Sequence, residues 1–276
     1  MELSYKFAFL AKQRDPNVII VFGGPNFPAD KNEKLDFLKK KPAIDFYIEL
    51  EGELGFVDLV KALSKNAFNA EQLKKHGKKI INTCYIYDGQ LITGSIERIK
   101  DINIIPSPYL TGALDQYFQL PLIPMIETTR GCPFTCTFCA DGLAIKSKIN
   151  RYETQRTREE LQYIAKNINK VDELIVTDLN FGMYKQDMET AKEIANIQKN
   201  YNYPVSVDAP AGKNMPKRII NIASIMKGWS MGGVIQSSDP GVLKAIKRSN
   251  ISIDAYQDLI DFGNKQKANR TYTEII

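Results

Sequence analysis

The stretch RGCPFTCTFC, at residues 130–139, contains three of the four cysteines of the chain. They are Cys132, Cys136 and Cys139, in the spacing C-x3-C-x2-C. The run PLIPMIETT at residues 121–129 predicts a strand that ends at this loop, and a glycine and a proline in the loop favour a sharp turn. Three thiolates on one tight loop are expected to converge on a single point, as in a metal or cluster site.

The number of cysteines in this loop is informative. A [4Fe–4S] cluster is normally held by four cysteines, so a loop with three leaves one iron without a protein ligand. An open coordination position distinguishes a catalytic metal site from a structural one. The spacing, with Phe138 directly before the last cysteine, resembles the cluster loop of the radical S-adenosylmethionine (SAM) enzymes. The resemblance implies that Cys132, Cys136 and Cys139 are catalytic and ligate the cluster, while the backbone near Phe138 contacts adenine. It also implies cleavage of SAM to methionine and a 5′-deoxyadenosyl radical.

Other uses of the cysteines are less consistent with the pattern. A structural zinc site would need Cys84 as fourth ligand, but that cysteine is alone in another segment. A disulfide framework is disfavoured because the long chain has few cysteines and begins without a signal-peptide pattern.

Composition is that of an ordinary globular protein, with 43% hydrophobic and 25% charged residues among 276. No apolar run reaches the roughly 18 residues of a membrane span, so we expect no transmembrane span. The few cysteines and the lack of a signal-peptide pattern predict a cytoplasmic protein. The net charge of +5 is dispersed over many lysines, and nucleic-acid binding is not expected from it.

Residues 1–70 alternate in the order α-β-α-β-α, which predicts part of a doubly wound, Rossmann-like α/β sheet. Two strands are too few for such a sheet. The segment resembles the C-terminal half of the cobalamin-binding domain found before many radical SAM cores. The matching residues are Gly23 and Gly24 in a Gly-Gly-Pro strand end, and a Glu-Gly-Glu run at residues 51–53. The resemblance makes cobalamin a possible cofactor of the full-length protein, with Gly23 and Gly24 as contacts.

The remaining chain divides into a connector and a barrel segment. Residues 71–120 contain a predicted β-hairpin around Asp88-Gly89 and a proline-rich run. Residues 121–276 repeat strand and helix, which predicts an incomplete parallel (β/α)6-type barrel, a partial TIM barrel. We therefore expect a fragment that is truncated at both ends.

Catalytic residues of such barrels follow the strands. Asp178 and Asn180 lie in a D-x-N-F element similar to one in the cobalamin-linked subgroup, where it contacts the SAM amine. Lys213 follows the next predicted strand, and Gln236 and Ser237 the one after. The resemblance implies that these strand ends face SAM, with Lys213 suited to an anionic group.

The function expected is that of a cobalamin-linked radical SAM enzyme that performs methyl transfer or another C–H functionalisation. Its partners would be a small-molecule, lipid or antibiotic-type substrate and a reducing electron donor of flavodoxin or ferredoxin type. Two alternatives stay open. One is a radical SAM methylthiotransferase acting on RNA, which would need three further N-terminal cysteines. The other is a non-catalytic Fe–S or zinc-binding module.

Overall fold

A computed structural model describes residues 1–230, 232–265 and 272–275 of the chain. The chain divides into two units, Met1–Lys100 and Asp101–Ile276. The hairpin segment therefore lies within the first unit, whereas the sequence suggests a separate connector. The assignment of residues 1–70 to a cobalamin-binding-type domain stays a prediction.

The first unit is built around one four-stranded sheet. Its helices are α1 (Glu2–Arg14), α2 (Lys31–Lys39), α3 (Gly52–Ser64) and α4 (Ala70–Lys75), and its strands are β1 (Val21–Gly23), β2 (Phe46–Ile48), β3 (Thr83–Tyr87) and β4 (Gln90–Thr93). The strand order is β1-β2-β3-β4, with β1 and β2 parallel and the other neighbours antiparallel. The predicted α-β-α-β-α order is confirmed.

The predicted hairpin is also confirmed, and its turn has a local cause. Asp88 and Gly89 both adopt positive φ, at 48° and 72°. Two positive values are what a two-residue turn of matching twist requires. Tyr87 then pairs with Gln90 across the turn.

The second unit repeats strand and helix after a short antiparallel pair. The strands are β5 (Met125–Ile126), β6 (Thr129–Arg130), β7 (Asn150–Arg151), β8 (Glu173–Val176), β9 (Ser206–Asp208), β10 (Trp229–Ser230), β11 (Gly232–Gln236) and β12 (Tyr272–Ile275), and the helices are α5 (Thr154–Asn167), α6 (Asp187–Tyr201), α7 (Pro216–Ile225), α8 (Pro240–Ala245) and α9 (Ile253–Lys265). Strands β5, β8, β9 and β10 are neighbours in that order and all parallel, and β11 pairs in parallel with β12. The predicted parallel β/α arrangement is confirmed. None of the described helices combines the length and the apolar character that crossing a bilayer would require.

Alternation along β8 gives one fully buried face and one partly buried face. Leu174 and Val176 are fully buried, while Glu173 and Ile175 are only partly so. Successive side chains of a strand point to opposite faces. The buried face joins a core that includes residues of α5, α6 and α7, among them Leu161, Ile164, Ile194, Ile197, Ile219 and Ile222. Packing against this hydrophobic core therefore holds the strands, and with them their carboxyl ends, in place.

Asp187 closes the loop between β8 and α6. Its side chain is 1% exposed, and one carboxylate oxygen accepts hydrogen bonds from the backbone N–H groups of Gly182 (2.8 Å) and Tyr184 (2.9 Å). Burial raises the pKa of Asp187 to about 6 despite these two bonds. The native carboxyl group therefore keeps its proton at a pH where the unfolded chain has lost it.

This difference predicts a pH effect. As pH rises from about 4 to about 6, the Asp187 contribution to the free energy of unfolding should fall, because only the unfolded state releases the proton readily. Asp187→Asn keeps an oxygen for both N–H groups and cannot ionise. Relative to wild type, the variant should gain about 2 kcal/mol between pH 4 and pH 7, measured by chemical denaturation at both values. Parallel pH profiles for the two proteins would contradict this.

Candidate functional site

The cysteine loop begins with a glycine and folds back on itself. Gly131 follows β6 with φ of 110°, a conformation that favours glycine. Within the loop, the backbone N–H of Cys139 donates to the carbonyl oxygen of Cys136 (3.2 Å), and that of Gly142 donates to Cys139 (3.0 Å). A Cβ at Gly142 would lie 2.2 Å from the Cys136 carbonyl oxygen. The turn that brings the second and third cysteines together thus depends on glycine at position 142.

All three cysteines of the loop line one cleft of about 230 Å³. The cleft is bounded by the cysteine loop and by segments that follow β8, β9 and β11. Its lining residues are Cys132, Phe134, Cys136, Phe138, Cys139, Asp141, Gly142, Leu179, Asn180, Pro210, Ala211, Lys213, Gln236 and Arg248. The wall is largely apolar, with a few amide and charged groups, as in sites that orient a small ligand.

Each of the three sulfurs lies near one N–H donor. The pairs are Asn180 Nδ2 with Cys132 Sγ (3.4 Å), Lys213 Nζ with Cys136 Sγ (3.3 Å), and the backbone N–H of Asp141 with Cys139 Sγ (3.4 Å). Hydrogen bonds to sulfur are among the contacts that tune an iron–sulfur cluster. The cleft offers one such donor to each cysteine of the loop.

Cys84 is a useful contrast. It is fully buried in the first unit, in a cluster with Leu38, Ile44 and Tyr47. Burial raises the pKa of its thiol. This cysteine has the environment of a small hydrophobic residue, as the sequence predicts.

The three thiols of the loop line one cleft. Among the residues that the structure describes, no group of three or more His, Cys, Asp or Glu side chains is arranged to hold a single metal ion. Convergence of the three sulfurs on one cluster stays a prediction. In a [4Fe–4S] cluster the cysteines bind different irons, so three sulfurs spread around one cleft fit that larger group.

Asp178 accepts hydrogen bonds from the backbone just before the cysteine loop. Its carboxylate accepts hydrogen bonds from the backbone N–H groups of Thr128 (2.7 Å) and Thr129 (3.0 Å) and from the Thr128 hydroxyl. All three residues are buried. Burial raises the pKa of Asp178 to about 6, partly opposed by the bonds from Thr128 and Thr129. Asp178 is not among the residues that line the cleft, and its contact with SAM stays a prediction.

The other predicted SAM contacts divide into two groups. Phe138, Asn180, Lys213 and Gln236 all line the cleft. Ser237 does not, since its hydroxyl accepts from the backbone N–H of Asp239, in the turn before α8. Their contact with SAM stays a prediction.

Gly23 and Gly24 lie in the first unit, at the end of β1. The Gly24 carbonyl accepts a hydrogen bond from the Tyr47 hydroxyl (3.1 Å), and the Tyr47 ring stacks on Phe27 with centroids 3.8 Å apart. Gly24 has φ of 100°, and a Cβ there would meet no atom within 4 Å. The turn is open on that side, and its contact with cobalamin stays a prediction.

Several cleft residues have little signal in the sequence. Asp141 and Gly142 follow the last cysteine closely, so loop length alone suggests them. Leu179 and Pro210 occupy predicted strand ends but carry no chemistry of their own. Arg248 lies after α8, and only tertiary packing brings it to the cleft.

Gly142→Ala tests the close approach between position 142 and the Cys136 carbonyl oxygen. To restore an ordinary contact with the Cys136 carbonyl oxygen, the loop must move by about 1 Å. After anaerobic reconstitution with iron and sulfide, we expect the variant to hold well under half of the wild-type iron. Gly52→Ala is the matched control, because its Cβ would meet only Ile48 Cγ2 at an ordinary 3.8 Å. Equal iron content in the Gly142 variant and wild type would refute the role of this glycine.

Asp178→Ala tests the anchor of the loop. The substitution leaves two buried backbone N–H groups without their acceptor, which should cost about 3 kcal/mol in free energy of unfolding. Asp178→Asn retains one acceptor oxygen and should cost less. Both are measured by denaturation of the SAM-free protein, in which a mere ligand contact would have no effect. Wild-type stability of the Ala variant would contradict the anchoring role.

Comparison with known proteins connects this geometry to a family. The model of the radical SAM superfamily matches residues 126–273. The cobalamin-dependent radical SAM methyltransferase TokK of Streptomyces tokunonensis is 30% identical, over 98% of this chain and 40% of that protein. The 2-(S-pantetheinyl)-carbapenam-3-carboxylate methyltransferase of Streptantibioticus cattleyicolor is also 30% identical, with the same coverage.

A solved structure shows the same fold. The cobalamin-dependent SAM radical enzyme OxsB, with aqua-cobalamin and SAM bound, superposes with a TM-score of 0.68 at 17% identity, over 100% of this chain and 39% of that one. The chain spans about 40% of the length of these curated relatives. Because the superfamily model covers the cysteine loop and the β/α repeats after it, the chain belongs to the radical SAM superfamily.

Proposed function

We propose that this chain binds a [4Fe–4S] cluster through Cys132, Cys136 and Cys139 and presents it to SAM in the cleft described above. The observation that carries the proposal is the cleft itself, with three cysteine sulfurs that each face an N–H donor. When bound, the cluster supplies the electron that cleaves SAM into methionine and a 5′-deoxyadenosyl radical. The chain's own residues bind, orient and enclose the reactants.

The cleft residues divide the task of holding SAM. Phe138, Leu179 and Pro210 offer apolar surface for the adenosyl part. Asn180 and Gln236 offer amide groups to the amino and carboxylate groups of methionine, with Gln236 5% exposed and its backbone at φ of 65°. Asp178 acts through the loop that it anchors.

The whole protein is proposed to use cobalamin and to transfer a methyl group to a carbon of its substrate. Support comes from two relatives that are named as methyltransferases and that each align with 98% of this chain. In the first unit, the Gly23-Gly24 turn and the Glu51–Glu53 run follow the parallel strands β1 and β2. Ligands of open α/β sheets bind outside such carboxyl ends, so this edge is the proposed cobalamin side.

Substrate and reductant follow from the same proposal. One relative is named for a carbapenam carboxylate, and we propose a small metabolite of antibiotic type as the substrate class here. Single electrons would come from a donor of flavodoxin or ferredoxin type in the cytoplasm, where thiols stay reduced. The RNA methylthiotransferase and the zinc module have no comparable support.

Cluster assembly and SAM cleavage test the proposal. The protein is reconstituted anaerobically with iron and sulfide, reduced with dithionite and incubated with SAM. We expect about four irons per chain, a change in the electron paramagnetic resonance (EPR) spectrum on adding SAM, and formation of 5′-deoxyadenosine. Cys132→Ala, Cys136→Ala and Cys139→Ala should each abolish product formation, because each removes one iron ligand.

Cys84→Ala is the control, since that thiol lies in the core of the first unit. It should retain the cluster and the SAM-dependent spectral change. The proposal is wrong if wild type takes up zinc in place of iron, or if its iron site gives no response to SAM. It is equally wrong if Cys84→Ala loses the cluster as the other three variants do.

A further inference from the structure

Two side chains from different β/α loops reach two of the cysteine sulfurs. Asn180, after β8, approaches Cys132 at 3.4 Å, and Lys213, after β9, approaches Cys136 at 3.3 Å. The Lys213 ammonium also lies 3.7 Å from the centroid of the Phe134 ring. The ammonium therefore lies between a sulfur and an aromatic face, both of which favour positive charge.

The two loops that carry the donors are joined by backbone hydrogen bonds, and we call this joined pair of loops the platform. Phe181 and Ala211 form a parallel β-bridge between them. Phe181 donates its N–H to the Pro210 carbonyl (2.9 Å), and Gly212 donates to the Phe181 carbonyl (2.8 Å). The Phe181 ring is fully buried and packs edge-on against Trp229.

This platform leaves little room for adjustment. A Cβ at Gly212, next to Lys213, would lie 2.7 Å from Met183 Cβ. Asn180 itself is only 7% exposed. The backbone positions of both residues are thus set by backbone contacts and core packing.

Donors at these positions have an electronic consequence. The potential of an iron–sulfur cluster depends on net charge and on hydrogen bonds to its sulfurs. Reduction adds one negative charge, which a nearby ammonium and an amide N–H both stabilise. We propose that Lys213 and Asn180 are positioning residues that raise the reduction potential of the cluster through Cys136 and Cys132, with Lys213 the stronger because it carries a charge. This rests on the proposed function, since it presumes the cluster.

The test is a redox titration followed by EPR in the absence of SAM. Wild type, Lys213→Met and Lys213→Arg are compared, with Lys217→Met as control because Lys217 is exposed on α7. At a fixed potential, Lys213→Met should lower the ratio of reduced to oxidised cluster about tenfold, which is about 59 mV for one electron. Lys213→Arg and Lys217→Met should stay close to wild type. Asn180→Val should shift the midpoint in the same direction by a smaller amount.

The outcomes separate this inference from the proposed function. If wild type assembles no cluster, the proposed function fails. If the cluster assembles and Lys213→Met keeps the wild-type midpoint while its SAM affinity falls, Lys213 is a SAM ligand and the inference is overturned. Lys213→Gln removes the charge but keeps a donor, and it replaces Lys213→Met in the comparison if that variant loses its iron. A wild-type midpoint in Lys213→Gln would then overturn the role of the charge.

Discussion

A buried carboxylate at the end of β8 holds the start of the cysteine loop. The Asp178 carboxylate accepts hydrogen bonds from the N–H groups of Thr128 and Thr129 and from the Thr128 hydroxyl. These two threonines lie only a few residues before the first cysteine of the loop. Those N–H groups are buried and need an acceptor. The direction in which the chain leaves β5 is therefore fixed by a residue that follows the neighbouring parallel strand β8. The cysteine loop starts from that exit.

The same edge of the sheet supplies the surroundings of the sulfurs. Parallel strands end on one side, so the segments after β8 and β9 meet the cysteine loop there and contribute Asn180 and Lys213. One short loop thus provides the three thiols, and its neighbours provide an ammonium and an amide N–H beside two of them. Sulfur chemistry is tuned by such surroundings as much as by the ligands themselves. The division suits a scaffold whose reactive part is a bound cofactor.

Much of this arrangement was predictable. In the second unit, short apolar runs predict the strands and longer runs of helical spacing predict the helices between them. The hairpin turn at Asp88-Gly89 is predicted by the dipeptide itself. Asn180, Lys213 and Gln236 are found at the cleft because barrel strand ends share one face. Asp178 and Ser237 satisfy the same rule, yet Asp178 bonds to the backbone before the cysteine loop and Ser237 bonds within its own turn. Position after a strand does not reveal whether a polar side chain is needed for backbone satisfaction or is available to a ligand.

The sequence by itself determined the family and pointed to the three cysteines proposed to bind the cluster, because the C-x3-C-x2-C spacing lies within one short loop and needs no distant contact. Only the tertiary structure decided which donor faces which sulfur. Asn180 and Cys132 are 48 residues apart, and Lys213 and Cys136 are 77 apart. Contacts at such separations depend on how parallel strands are ordered and how their helices pack. A local pattern does not encode either of these.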